Sequence, residues 1–143
     1  MVRILSNGND RLKGSNISLI DERSEVAAMY HGMPQNDIGI RTDVMNTCLK
    51  SIGIRMMVRS MAPQILATDE IGGKEDEVAI KEAKYAGIKL LLTAHGENIC
   101  DVSKNLVDNK VFNNIIVLDK ENRPGKIKKI YEEIPAITQI EKP

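Results

Sequence analysis

The chain has few aromatic residues and no net charge. Its 143 residues include no Trp, one Phe and three Tyr. A surface that binds single-stranded nucleic acid by stacking bases on aromatic side chains is therefore not expected. Lys plus Arg and Asp plus Glu both number 20, so the composition does not indicate strong electrostatic attraction to nucleic acid. The core must be built from aliphatic side chains.

Cysteine clusters and long apolar runs are also absent. Cys48 and Cys100 are isolated, and their spacing fits neither a metal site nor a disulfide framework. No apolar stretch reaches the roughly 20 residues that span a bilayer. These absences predict a soluble protein of the reducing cytoplasm.

One motif is missing although its usual companion is present. Residues 65–70 read ILATDE, an apolar run that ends in Asp69 and Glu70. In nucleotide-hydrolysing folds, such a pair at a strand end provides one carboxylate for magnesium and one for the attacking water. The phosphate-binding pattern G-x-x-x-x-G-K-[ST] does not occur in the 143 residues. Alternatively, Asp69 and Glu70 belong to an acidic loop before a helix, and Glu75 and Asp76 interact favourably with the dipole of that helix.

Strand-like and helix-like stretches alternate along the chain. Strands are predicted over 16–21, 64–69, 88–93, 114–118 and 126–131. Helices are predicted over 44–50 (capped by Asp43 and ended by Gly53), 54–61, 75–86 (stopped by Gly87) and 101–108. This alternation predicts an α/β fold over residues 1–134, with a mostly parallel sheet and helices on both faces. Residues 135–143 are predicted to form a disordered tail.

Polar residues follow several of the predicted strands. Because ligands bind beyond the carboxyl ends of parallel strands, we expect residues 21–25, 69–70 and 93–96 at one edge. The loop after Leu118 is a fourth candidate for the same edge.

Three further residues, considered one by one, each have a functional and a purely structural interpretation. Thr93 and His95 have the chemistry to sense a γ-phosphate, but Thr93 also suits a strand and His95 suits a polar strand end. Arg59 is able to donate to a phosphate within the subunit or across an interface, although unpaired surface arginines are common.

Several motifs occur together in one order: DERSE (21–25), RTDV (41–44), RSMAP (59–63), ILATDE (65–70) and TAHG (93–96). Over residues 15–131 the chain resembles the secretion-type ATPases of the type II, type IV and pilus-motor class. It more closely resembles the stage III sporulation protein AA family, ATPases of endospore-forming bacteria. The resemblance implies a RecA-like P-loop NTPase core whose first strand and phosphate loop are missing from this chain.

The resemblance also implies roles for single residues and implies ATP and Mg²⁺ as cofactors of the complete protein. Asp69 and Glu70 match the Walker B pair, with Asp69 binding Mg²⁺ through water and Glu70 as the catalytic carboxylate. Glu25 matches the acidic residue that positions the attacking water. The remaining candidates are His95 of the histidine box, Arg59 for phosphate or a neighbouring subunit, and Thr93, Asp21 and Glu22 as contributors to cofactor binding.

The start of the chain, VRILS, resembles the end of the helix that follows the family's phosphate loop. The expectation is therefore a truncated core. Without the loop, we expect the 143 residues to bind no ATP usefully and to show no turnover. Strand 88–93 would then have an unpaired edge, which either residues 114–118 fill by shifting inward or a second copy covers in a dimer.

As a function, the resemblance implies the C-terminal portion of an ATP-hydrolysing sporulation protein that energises transport or assembly at a membrane. It implies self-association into a ring, hexameric by analogy, with membrane-embedded sporulation proteins as partners and no nucleic acid. The expected location is the cytoplasm on the mother-cell side. One alternative is a non-hydrolysing binding or scaffolding module of the same fold. Another is a nucleic-acid-translocating ATPase of related fold, which the neutral charge and scarce aromatics disfavour.

Overall fold

The structure is a computed structural model and describes residues 1–96, 102, 106–107, 110–120 and 124–132. The chain separates into two compact units, Met1–Thr93 and Ala94–Pro143. Most of the predicted helix 101–108 and the whole of the tail 135–143 lie outside the described residues. The predicted domain over 1–134 stays a prediction.

The first unit is built around a parallel sheet of four strands. These are β3 (Ile17–Asp21), β6 (Thr42–Asn46), β7 (Ile65–Thr68) and β8 (Lys89–Leu92), in the order β6–β3–β7–β8. The helices are α1 (Val2–Asn7), α2 (Lys50–Met61) and α3 (Lys74–Tyr85). Two short antiparallel hairpins complete the unit: β1 (Gly8–Asn9) with β2 (Leu12–Lys13), and β4 (Met29–Tyr30) with β5 (Met33–Pro34). The predicted strands 16–21, 64–69 and 88–93 and the predicted helix 75–86 are confirmed.

The predicted helix over 44–50 is wrong. Thr42–Asn46 form β6, which pairs in parallel with β3 from Ile17↔Thr42 to Asp21↔Asn46. This tertiary pairing overrides the helical pattern, and the helix instead starts at Lys50. Gly53 lies inside α2 and does not end it. A Cβ at this position would lie 2.9 Å from Cys48 Sγ and 3.1 Å from Ile20 Cγ2 on β3. The missing side chain lets the helix approach the sheet closely.

Helices cover both faces of this sheet, as predicted. Successive residues of a strand point to opposite faces. Ile17 and Leu19 belong to a buried cluster that packs against Val2 and Leu5 of α1. Ile20, the residue after Leu19, points to the opposite face and packs against α2, which also packs against α3. All five residues of β3 are buried, as expected for a central strand covered on two sides.

The end of α1 is hydrogen-bonded to the segment that leads into β6. The Ser6 hydroxyl is fully buried and accepts a hydrogen bond from the Arg41 backbone N–H at 2.8 Å. The Ile40 N–H donates to the Asn7 side chain at 2.9 Å. Gly39 has a φ of +91°, and a Cβ there would lie 2.5 Å from the Ser6 Cβ. A glycine is therefore required for both its backbone angle and its contact.

The second unit contains an antiparallel hairpin of β9 (Ile115–Leu118) and β10 (Ile127–Tyr131). Both strands were predicted, and β9 pairs with β10. In the described part of the chain, β8 is an end strand of the four-stranded sheet. The inward shift of residues 114–118 and the edge-strand dimer both stay predictions. None of the described helices combines the length and apolar character that crossing a membrane requires.

Candidate active site

Two loops leave neighbouring strands of the sheet at the same edge. β3 and β7 pair in parallel with Ile20 opposite Thr68, so Asp21 and Asp69 follow at equivalent positions. The Thr68 hydroxyl donates to the Ile20 carbonyl at 2.9 Å and ties the two strand ends together. The predicted meeting of the DERSE segment with the Asp69–Glu70 pair is thus observed.

Asp21 shapes the first loop. Its carboxylate is fully buried and accepts hydrogen bonds from three consecutive backbone N–H groups, of Glu25, Val26 and Ala27, at 2.8–3.2 Å. The Ser24 N–H donates to the Asp21 carbonyl at 3.0 Å. A carboxylate so placed replaces the water that these amides would otherwise need. Asp21 therefore positions the loop that carries Glu25, and its predicted contact with a cofactor stays a prediction.

Arg23 connects the two loops. Its Nε lies 3.5 Å from Glu25 Oε1, and its Nη2 lies 3.4 Å from Glu70 Oε2. The side chains of all three residues are about half exposed, at 59% for Glu25 and 44% for Glu70. Solvent screening therefore makes these ion pairs weak. Their value is geometric, because one guanidinium reaches both carboxylates to which the family resemblance assigns a role in water activation.

Asp69 is paired with a residue that the sequence did not single out. Lys50 Nζ lies 2.7 Å from Asp69 Oδ1, and both side chains are nearly buried, with 7% and 11% exposed. Lys50 also donates to the Glu70 carbonyl. Lys50, the first residue of α2, thus contacts the side chain of Asp69 and the backbone carbonyl of Glu70. The predicted helix over 44–50 ended at this lysine, whereas the structure starts α2 there.

The residues around Asp69 fit a magnesium ion held mainly by other ligands. Asp69 Oδ2 is buried and has no hydrogen-bond partner among the described residues. Within the described ranges, no three His, Cys, Asp or Glu side chains gather as a metal cage. Mg²⁺ usually keeps several waters and binds one or two carboxylates together with substrate phosphates. A single orphaned carboxylate oxygen at the strand end matches that ligand set.

Glu22 lies near a thiol. Burial and the negative charge of Glu22 both raise the pKa of the half-buried Cys48. The charge of Glu22, the loop residue next to Asp21, therefore acts on the segment between β6 and α2. Its predicted contribution to cofactor binding stays a prediction.

The other candidates lie in different places. Thr93 follows β8, and its carbonyl accepts a hydrogen bond from the Ile71 N–H at 2.9 Å, which links the strand end to the loop after Glu70. Arg59 is exposed near the end of α2, roughly 14 Å along the helix from Lys50 at 1.5 Å per residue. It therefore does not join the Asp69 group, and its predicted role at an interface stays a prediction. His95 is an exposed residue of the second unit, and its role stays a prediction.

Comparison with known proteins identifies the family. The family model described as "Sporulation stage III, protein AA" matches residues 1–137. The chain belongs to this family. It is 36% identical over 138 residues to stage III sporulation protein AA of Bacillus subtilis (strain 168), a match that covers 93% of this chain and 45% of that protein. The chain therefore spans about half the length of the curated relative that it matches.

The fold is also found in a solved ATPase. The X-ray structure of the Legionella pneumophila ATPase DotB matches with a TM-score of 0.53 over 75% of this chain and 28% of that one. At 18% sequence identity the likeness concerns the fold alone. Together with the parallel sheet and its helices, it agrees with a RecA-like core in this member of the stage III sporulation protein AA family.

Proposed function

We propose that this chain is the part of an ATP-hydrolysing sporulation protein that carries its metal-binding and water-activating carboxylates. The observation that carries the proposal is the meeting of three acidic residues at one sheet edge in a member of this family. Asp69 and Glu70 follow β7, and Glu25 reaches Glu70 through the guanidinium of Arg23. The complete protein would bind ATP and Mg²⁺, with its phosphates held by a loop that these 143 residues do not contain.

The three carboxylates have different surroundings and therefore different proposed roles. Asp69 is nearly buried with one unpartnered oxygen, which suits contact with a water of hydrated Mg²⁺. Glu70 is half exposed at the same edge, where it is able to orient the attacking water and accept its proton. Glu25 stands opposite on a loop that Asp21 fixes, where it is able to hold the same water from a second side. Magnesium, when bound, supplies charge neutralisation on the phosphates.

Self-association and membrane partners belong to the same proposal. We propose a ring of subunits in the cytoplasm, on the mother-cell side, that drives transport or assembly with membrane-embedded sporulation proteins. Exposed Arg59 at the far end of α2 would act across the subunit interface. His95 and Thr93 would report nucleotide state from the loop after β8.

The DNA directly upstream of Met1 provides the first test. An in-frame G-x-x-x-x-G-K-[ST] sequence there is expected, and the protein that includes it should hydrolyse ATP. In that protein, Glu70→Gln should abolish turnover while nucleotide binding is kept. If no such sequence precedes Met1 and no turnover is found, the alternative of a non-hydrolysing binding or scaffolding module is favoured.

A further inference from the structure

Lys50 is a buried cation that the proposed chemistry leaves unused. Its side chain is 7% exposed, and its ammonium lies 2.7 Å from Asp69 Oδ1. The same ammonium donates to the Glu70 carbonyl. Removing a lysine from water is costly unless its charge is compensated. The acidic pair provides this compensation, so the position of Lys50 depends on Asp69.

Arg23, the other cation of the site, is not buried. The Arg23 side chain is 60% exposed, so solvent screens its contacts with Glu25 and Glu70. Lys50, in contrast, is nearly buried and directly contacts the carboxylate proposed to bind the metal. Asp69 Oδ2 meanwhile remains without a partner among the described residues.

A lysine and a divalent cation compete for one carboxylate. Mg²⁺ carries a double positive charge and would bind within a few ångströms of the ammonium, where two cations repel each other strongly in a nearly buried site. The lysine stem has four flexible carbons, so the ammonium is able to leave without moving the backbone of α2. Arginine at the same place would keep the positive charge.

We propose that Lys50 is the resident counter-ion of Asp69, a positioning residue that holds the Asp69–Glu70 pair when no metal is present and is displaced when a divalent cation binds. This inference rests on the proposed function, since it takes Asp69 as the carboxylate that binds the hydrated metal ion. It adds a regulatory property: metal affinity is set by the strength of the Lys50–Asp69 ion pair.

The test is a titration of the 143-residue chain with Mn²⁺, a paramagnetic cation that accepts the same oxygen ligands. Broadening of the backbone amide signals of Asp69 and Glu70 in a nitrogen–proton NMR spectrum measures binding and also shows whether each variant is folded. Lys50→Met is expected to bind Mn²⁺ at least about tenfold more tightly than the wild type, equivalent to about 1.4 kcal/mol. Lys50→Arg should stay close to the wild type, and so should the control Arg55→Met, which removes a partly exposed positive charge of α2 that pairs with Glu82 on α3.

A second measurement needs no substitution and covers the case in which Lys50→Met does not fold. Acylation of lysines by an amine-reactive ester, followed by mass spectrometry, compares Lys50 with exposed Lys13 at rising Mg²⁺. Displacement predicts severalfold faster labelling of Lys50 and an unchanged rate for Lys13. Unchanged labelling of Lys50 while the Asp69 amide is broadened by Mn²⁺ would overturn the proposal.

The outcomes separate this inference from the proposed function. If Lys50→Met and the wild type bind Mn²⁺ within about twofold of each other, competition by Lys50 is refuted, while the ATPase proposal stands on its own turnover test. If Lys50→Met gains affinity and Asp69→Asn removes the gain, the counter-ion role is supported. If Asp69→Asn leaves Mn²⁺ binding unchanged in every variant, Asp69 is not the metal ligand and both proposals fail.

Discussion

Replacing Asp21 by asparagine tests whether one buried carboxylate builds the loop that carries Glu25. Oδ1 accepts from the Glu25 and Val26 N–H groups, and Oδ2 accepts from Val26 and Ala27. Asparagine puts an N–H₂ group in place of one oxygen, so at least one backbone amide loses its acceptor and the negative charge disappears. Since hydrogen bonds to charged groups contribute about 1.5–3 kcal/mol each, we expect a loss of about 2–4 kcal/mol in the free energy of unfolding.

Urea denaturation followed by circular dichroism measures this loss. The matched control is Asp43→Asn, on the neighbouring strand β6, where the side chain is exposed. The control should change the free energy of unfolding by less than about 0.5 kcal/mol. A cost below about 1 kcal/mol for Asp21→Asn would mean that the amides find other partners and that the carboxylate does not determine the loop.

Two further substitutions test the packing around the site. Gly39→Ala should destabilise the chain by about 1–3 kcal/mol more than Gly32→Ala in the same denaturation assay. Both glycines have positive φ, but only at Gly39 would a Cβ collide, there with Ser6; equal costs would show that α1 does not dock as described. Glu22→Gln should lower the pKa of the Cys48 thiol and speed its alkylation at a pH below that pKa, because a negative charge that disfavours the thiolate is removed. An unchanged rate, measured by mass spectrometry of the Cys48 peptide, would place Glu22 elsewhere.

The continuous apolar runs allowed much of the fold to be predicted. The strands predicted over 16–21 and 64–69 form the buried β3 and β7 of a parallel sheet, and such strands have a pattern that a sequence shows directly. The strand predicted over 88–93 forms β8, the partly exposed end strand of the same sheet. Thr42–Asn46 could not be found in this way, because none of its five residues is fully buried and only the pairing with β3 makes them a strand. The pairing of residues 115–118 with β10 likewise depends on tertiary contacts.

The residues of the candidate site that lie at or near strand ends could be predicted from the sequence. Asp69, Glu70 and Glu25 follow or lie near the ends of β7 and β3, and parallel pairing brings those ends together. Lys50 was not predictable, since its role depends on the start of α2 and on a contact 19 residues away in sequence, with Asp69. The structural role of Asp21 could not be predicted either, because hydrogen bonds to three backbone amides leave no pattern in the sequence.

The central claim is that Glu70 activates water for ATP hydrolysis. The direct measurement is ATP turnover by the protein that joins this chain to its phosphate loop, compared between wild type, Glu70→Gln and the control Glu75→Gln in the exposed first turn of α3. The account predicts that Glu70→Gln lowers turnover by about 100-fold or more while ATP still binds, as expected for loss of a general base, and that Glu75→Gln has no effect. Turnover in Glu70→Gln equal to that of the wild type would contradict the account.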